Sequence, residues 1–153
     1  MKYGIRKFKT WMGLEGPGYS FDLMQLEPTK LYLAEILQEG HGGETRIWFQ
    51  YEQSRKRLEE YCASLPHEAC PISGEMRPVD IDWFLAKLAD EYELNKKLKR
   101  ICKKETLFRI PGDPDDGSYR SIKARFDDRV KAHLIKLHGP NVEIVNEKLE
   151  ICA

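Results

Sequence analysis

The chain has 153 residues, of which 41% are hydrophobic and 10% aromatic, enough for a globular core that needs no disulfides or metals. Its 25 basic and 25 acidic residues balance, which argues against a protein that coats nucleic acid or anionic lipid with its whole surface. No apolar run approaches the ~20 residues of a membrane span, and the first residues lack a signal-peptide core. We therefore expect a cytoplasmic protein without membrane partners.

Residues 3–51 show the period-two alternation of β-strands, interrupted by three short turns. The turns are a glycine stretch, the Glu27-Pro28 pair and the sequence GHGG. The candidate strands cover residues 5–11, 19–23, 29–37 and 45–51. Because the connections are short, the four strands are predicted to form an antiparallel meander.

The glycine stretch lies within KTWMGLEGPGYSFDL, residues 9–23. A Walker-type phosphate loop continues with Lys and Ser or Thr after its last glycine, whereas Tyr19 and Ser20 follow Gly18 here. A dinucleotide-binding loop leads into a helix, whereas the sequence after Gly18 has strand periodicity, and Pro17 lacks an amide hydrogen. We therefore predict a hairpin turn whose glycines adopt positive φ.

Residues 52–104 change to helical periodicity. One apolar face is predicted for a first helix that ends near Pro66, and residues 66–78 are predicted to be a loop. Asp80 is a candidate N-cap for a second, longer helix. The apolar face of the first helix comprises Leu58, Tyr61, Cys62 and Leu65, and that of the second comprises Ile81, Phe84, Leu85, Leu88, Tyr92 and Leu98.

Residues 105–153 predict a second β-element and a third helix. Residues 106–110 and 119–124 are candidate strands around the turn-rich PGDPDDGS. Asp127 or Asp128 can cap a helix that carries Val130, Leu134 and Leu137 and ends at Gly139-Pro140, and residues 142–145 suggest a last short strand. The expected fold is α+β in one domain, residues 1–153: an N-terminal antiparallel meander packed against two or three helices, with a second small hairpin near the C-terminus.

The cysteines give little support for a metal site. Cys62, His67 and Cys70 lie within nine residues and could begin a zinc site, but structural zinc usually requires two short paired spacings. The remaining cysteines, Cys102 and Cys152, are isolated. We predict four thiols, no metal and no cofactor.

The sequence lacks the short motifs of nucleophilic or metal-dependent catalysis, such as G-x-S-x-G and H-E-x-x-H. The absence of these motifs favours a non-enzymatic protein and leaves the question of catalytic activity open. An alternative stays open, in which a small phosphorylated or nucleotide substrate is held by Lys103, Arg109 and Arg120 as an anion clamp.

The densest charged feature is NKKLKRICKK, residues 95–104. A positive stripe with aromatic residues nearby can follow a nucleic-acid backbone, whereas the alternative is a solvated helix end whose cations complement the helix dipole. The candidate anion-binding residues are Lys96, Arg100, Lys103, Lys104, Arg109, Arg120, Lys123 and Arg125. The candidate interaction aromatics are Trp11, Trp48, Tyr51 and Tyr119.

Two segments carry a resemblance to a known group of proteins. The first matches K-T-x-x-G-x-E-G-x-G and the second matches C-K-K-x-T-L-F-R. Together they resemble small bacterial proteins of phages, plasmids and related mobile elements. The matching residues are Lys9, Thr10, Gly13, Glu15, Gly16 and Gly18 in the first, and Cys102, Lys103, Lys104, Thr106, Leu107, Phe108 and Arg109 in the second.

The resemblance implies an accessory protein that binds a host or phage component, including a component of a defence system, and it implies no particular reaction. Our leading hypothesis is accordingly a non-enzymatic interaction protein that acts through a protein surface. The alternative is a nucleic-acid-binding accessory protein that uses the basic run of residues 96–104.

Overall fold

A computed structural model describes residues 2–70 and 72–149 and has an α+β fold. The chain divides into two compact units, Met1–Tyr92 and Glu93–Ala153. The prediction of a single domain stays a prediction. The elements are β1 (Lys2–Met12), β2 (Pro17–Glu27), β3 (Leu31–Gln38), β4 (Arg46–Phe49), α1 (Glu52–Ser64), β5 (Glu68–Ala69), β6 (Met76–Arg77), α2 (Ile81–Cys102), β7 (Thr106–Arg109), β8 (Arg120–Ile122), α3 (Asp128–His138), β9 (Glu143–Ile144) and α4 (Val145–Lys148).

The N-terminal unit is built on the predicted meander, an antiparallel sheet in the order β1-β2-β3-β4. Phe21, Leu23 and Ile36 are buried on one face of the sheet, where Leu58 of α1 and Leu85 of α2 join the same core. The alternation of side chains thus supplies one apolar face, which the amphipathic helices cover.

The opposite face of this sheet is polar around Asp22. Arg6 donates to its carboxylate at 3.0 Å, and the Lys7 ammonium lies 3.2 Å from the same oxygen. Lys7 has a φ of 57° at a register shift in β1. This irregularity brings two consecutive cations to one aspartate.

The region predicted as a loop, residues 66–78, differs from the prediction because it contains a small hairpin. β5 and β6 pair as two-residue strands, and the Cys70 amide donates to the Glu75 carbonyl at 2.8 Å. Strands of two residues are too short to show alternation, so sequence periodicity could not reveal them. The predicted cap of α2 is confirmed, since Asp80 accepts from the Trp83 amide at 2.8 Å.

The C-terminal unit contains a three-stranded sheet in the order β8-β7-β9, which confirms both predicted hairpin strands and the last short strand. β7 lies between two core clusters, one around Leu107 and one around Phe108. Asp127 caps α3 by accepting from Val130 at 2.8 Å, and Gly139 ends the helix with a φ of 86°. The short helix α4 was not predicted.

Candidate nucleic-acid interface

The C-terminal half of α2 carries the basic run on the side of the helix opposite its buried residues. Leu98 and Cys102 are buried with Leu107 in the second core cluster. Because an α-helix turns about 100° per residue, the four cations of this segment project into the half of the helix opposite Leu98. These exposed cations are Lys96, Lys97, Lys99 and Arg100.

Lys103 and Lys104 follow in the turn between α2 and β7, and one buried side chain holds that turn. The Asn146 amide donates to the carbonyls of Cys102 at 3.2 Å and Glu105 at 3.0 Å. Its oxygen accepts from the Leu107 amide at 2.8 Å. Asn146 is far from the turn in sequence, and no local signal marked it, so sequence reasoning missed this residue.

Lys123 and Arg125 are brought to the same end of the sheet. Thr106 is paired with Ile122, and the Thr106 hydroxyl donates to the Ala124 carbonyl at 2.9 Å. Since Lys123 and Arg125 flank Ala124, they lie beside the α2–β7 turn. We call the assembled cations the basic surface: Lys96, Lys97, Lys99, Arg100, Lys103, Lys104, Lys123 and Arg125.

No side chain of the basic surface forms an ion pair with a carboxylate of residues 2–70 or 72–149, whereas other cations in both units do. Unpaired, solvated cations retain their full charge toward an incoming anion. The cations of the basic surface are therefore available to bind an anion.

The neutral total charge conceals an uneven distribution between the two units. Residues 93–153 contain 14 lysines and arginines against 10 aspartates and glutamates, a net charge of +4. Residues 1–92 contain 11 against 15, a net charge of −4. The argument against polyanion binding from the total charge therefore does not apply to the C-terminal unit.

At the opposite end of the C-terminal sheet, aspartates neutralise both arginines, Arg109 and Arg120. The Arg109 guanidinium lies over the Tyr119 ring, 4.4 Å from the centroid. Arg109 donates through Nε to the Ser118 carbonyl at 3.0 Å and through Nη1 to Asp115 at 2.8 Å. One face of Tyr119, a predicted interaction aromatic, is thus covered by Arg109.

Arg120 is paired with Asp113 on the other face of the sheet. Three nitrogen–oxygen contacts of 2.7–3.1 Å join them, and Asp113 also accepts from the Ile110 amide at 3.0 Å. The hydrogen bonds from Arg120 lower the pKa of Asp113 to about 2. Arg120 pairs with Phe108 across the strands, whereas Arg109 shares the face of Leu107.

The residues of the alternative anion clamp are therefore distributed over the small sheet. Lys103 lies at the basic end, whereas Arg109 and Arg120 lie at the other end on opposite faces, each bonded to an aspartate. This arrangement does not form one convergent phosphate pocket.

The glycine stretch of the N-terminal unit forms the predicted hairpin turn, with strand β2 following it. The Gly13 amide donates to the Gly16 carbonyl at 2.8 Å, and the tip rests on the β3–β4 loop through a bond of 2.9 Å from the Glu15 amide to Gly40. A side chain at Gly18 would come within 2.8 Å of the Gln38 carbonyl. Close backbone approach therefore explains glycine at position 18. The prediction of positive φ holds for Gly16, with a φ of 156°, but is wrong for Gly13 and Gly18.

The tip of this hairpin exposes apolar side chains. Met12 and Leu14 are 80% and 92% exposed. Trp11 is partly exposed and donates from its indole nitrogen to the Glu39 carbonyl at 3.2 Å, so it also braces the tip. Trp48 and Tyr51 are exposed elsewhere in the unit, the first on β4 and the second just before α1.

A cleft of about 370 Å³ in the N-terminal unit is walled by aromatic rings. The ring centroids of Tyr3, Tyr61 and Phe84 lie 4.8–5.6 Å apart. Burial raises the pKa of the Tyr3 hydroxyl to about 12. Two lysines and two glutamates line the cleft, with Lys87 and Glu68 in a 2.6 Å ion pair, so its lining favours neither anions nor cations.

The residues of the zinc alternative do not assemble a site: the described part of the chain has no group of three histidines, cysteines or acids placed to hold a metal ion. Burial raises the pKa of the Cys62 thiol to about 11. Hydrogen bonds from the backbone and hydroxyl of Ser73 lower the pKa of Cys70 to about 7. Cys152 lies outside the described residues.

Among the described residues, no helix combines the length and apolar character required to cross a membrane. Comparisons with protein-family models, with curated proteins and with solved structures found no match to this chain.

Proposed function

We propose that this protein binds nucleic acid through the basic surface of its C-terminal unit. The observation that carries the proposal is that eight exposed cations of α2, the α2–β7 turn and residues 123–125 have no acidic partner among the described residues. Ion pairs occupy Arg109, Arg120, Lys131 and Lys148 of the same unit. Arg129 and Lys136 of α3 are exposed and also have no ion pair with a described carboxylate, so the basic surface is distinguished by the closeness of its unpaired cations in the chain and not by pairing alone.

The proposed contacts are to phosphates and not to base edges. Lysines and arginines that neutralise phosphates release condensed counterions, which supplies sequence-independent affinity that falls with salt. Tyr119, the predicted aromatic of this unit, has one ring face covered by Arg109 and packs against the second core cluster. Binding is therefore expected to vary little with base sequence.

Fluorescence anisotropy with a labelled 20-nucleotide single strand and its duplex tests the proposal. Lys103→Glu with Lys104→Glu should weaken binding at 20 mM salt roughly 10-fold or more and lower the magnitude of the salt slope by about 2, because two phosphate contacts are lost. Lys30→Glu with Lys56→Glu is the matched control, since both lysines are exposed, lack described ion pairs and lie in the N-terminal unit.

Two results contradict the proposal. One is the absence of binding by the unaltered protein at 20 mM salt. The other is an equal loss in the two double variants, which would attribute binding to net charge alone.

We also propose a second function, contact with a host or defence-system protein through the β1–β2 hairpin tip. Met12 and Leu14 are apolar and largely exposed, whereas the bond of Glu15 to Gly40 and that of Trp11 to Glu39 brace the loop beneath them. A braced loop loses little conformational entropy when it binds. The resemblance to proteins of phages and plasmids is the basis for choosing a host component as the partner.

Quantitative pull-down from host lysate tests this second function. A specific partner should be lost with Met12→Ser and Leu14→Ser together and retained with Ile72→Ser. Ile72 is the matched control because it is 97% exposed in a different loop. A partner retained by the double variant, or no partner at all, would contradict the proposal.

A further inference from the structure

At the acid-paired end of the C-terminal sheet, Arg109 is largely covered: it lies over the Tyr119 ring, bonds the Ser118 carbonyl and pairs with Asp115. Arg109 has a side chain that is 17% exposed, and its Nη1 bonds Asp115, whose own side chain is 96% exposed. An exposed carboxylate on a single guanidinium nitrogen is held weakly, because water and salt compete for both groups.

The three aspartates of the β7–β8 loop differ in their hydrogen-bond partners. Asp113 accepts from the Ile110 amide and Asp116 accepts from the Ser118 amide, so both stabilise the loop backbone. The bond of Asp115 goes to Arg109 alone among the described residues. Asp115 can therefore leave Arg109 without disturbing the hydrogen bonds that shape the loop.

Arg109 is placed to extend the basic surface once Asp115 leaves its Nη1. Side chains alternate along β7, so Arg109 shares the face of Leu107, which packs against Leu98 and Cys102 of α2. The strand is four residues long, which separates Arg109 from the α2–β7 turn by about 10 Å. Phosphates of one DNA strand advance about 3.4 Å along the helix axis per residue, so a backbone that contacts the turn can reach Arg109 within a few nucleotides.

We propose that Asp115 occupies a phosphate subsite at Arg109 and competes there with nucleic acid. The inference rests on the proposed nucleic-acid function. The carboxylate of Asp115 takes the place that a phosphate oxygen takes in the bound state, and the stacking of Arg109 on Tyr119 keeps the guanidinium in position for either anion.

The test compares two substitutions that remove the same charge from adjacent positions. Asp115→Asn weakens the bond to Arg109, whereas Asp116→Asn leaves that bond and retains an oxygen for the Ser118 amide. With the same labelled single strand, Asp115→Asn should bind about 3-fold to 10-fold more tightly than Asp116→Asn and have a salt slope steeper by about 1. The gain should disappear when Arg109→Gln is added to Asp115→Asn.

The outcomes separate this inference from the proposed function. If the unaltered protein binds and the two asparagine variants bind equally, Asp115 is not a competitor, although nucleic-acid binding stands. If neither the unaltered protein nor Asp115→Asn binds at 20 mM salt, both proposals are overturned.

A second measurement follows Arg109 directly and needs no nucleic acid. In NMR titrations with inorganic phosphate, the Arg109 Nε–H resonance should move at lower phosphate concentration in Asp115→Asn than in Asp116→Asn. Identical titrations in the two variants would overturn the competition, even where the Arg109→Gln protein is too unstable to assay.

Discussion

The two ends of the C-terminal sheet differ both in the number of their cations and in what those cations contact. At one end, Lys103, Lys104, Lys123 and Arg125 meet without a described acidic partner, whereas at the other Arg109 and Arg120 each bond an aspartate. Availability for an anion therefore depends on pairing as well as on the local density of lysine and arginine.

The largest effect is expected from removing the side chain of Asn146, which holds the α2–β7 turn at the basic end of the sheet. Asn146→Ala leaves the Leu107 amide and two carbonyls without their buried partner, at a cost of about 3 kcal/mol in the free energy of unfolding. Chemical denaturation measures this cost. Asn141→Ala, an exposed asparagine nearby in sequence, should change stability by less than about 0.5 kcal/mol.

A smaller effect should distinguish the two ends in nucleic-acid binding. Arg125→Gln removes an unpaired cation and should weaken binding about 3-fold at 20 mM salt, lowering the magnitude of the salt slope by about 1. Arg120→Gln removes a cation already bonded to Asp113 on the other face of the sheet, and its affinity should stay within about 2-fold of the parent. Anisotropy titrations of both variants check the difference. Equal losses of affinity would contradict the prediction that the two ends of the sheet contribute differently to binding.

The smallest effect concerns pH at the acid-paired end. Because the pKa of Asp113 is about 2 in the folded protein and ordinarily 3.8, the folded state binds fewer protons between these values. The stabilisation by the Arg120 pair is therefore fully present above pH 4 and is lost as the pH falls through about 2. Carboxyl-carbon NMR should give a titration midpoint near 2, which Arg120→Gln should raise toward the ordinary value; an unchanged midpoint would contradict the pairing.

Much of the fold could be predicted from local sequence signals. Period-two alternation identified the four strands of the meander. Asp80 marked the start of α2, and the alternative of Asp127 or Asp128 for α3 is resolved in favour of Asp127. Such signals involve residues within one turn or one strand, so the sequence records them directly. The strands β5 and β6 were missed because two residues are too few to show the alternation of polar and apolar side chains by which a strand is recognised.

The candidate site was predicted only as a list of basic residues. Lys103 and Arg125 lie at the same end of the sheet because the Thr106 hydroxyl donates to the Ala124 carbonyl. The α2–β7 turn, which carries Lys103, depends on the hydrogen bonds of Asn146. Arg109 and Arg120 were placed in the same list, although Asp115 and Asp113 neutralise them. No spacing rule in a single sequence distinguishes a paired from an unpaired arginine.

By itself, the sequence determined the α+β class, the hairpin at the glycines and the amphipathic helices, because backbone propensity and burial periodicity act over a few neighbouring residues. The tertiary structure alone decided which cations are available to an anion. Ion pairs form between groups within about 4 Å in space, and that proximity is created by strand pairing and by a buried asparagine distant in the chain.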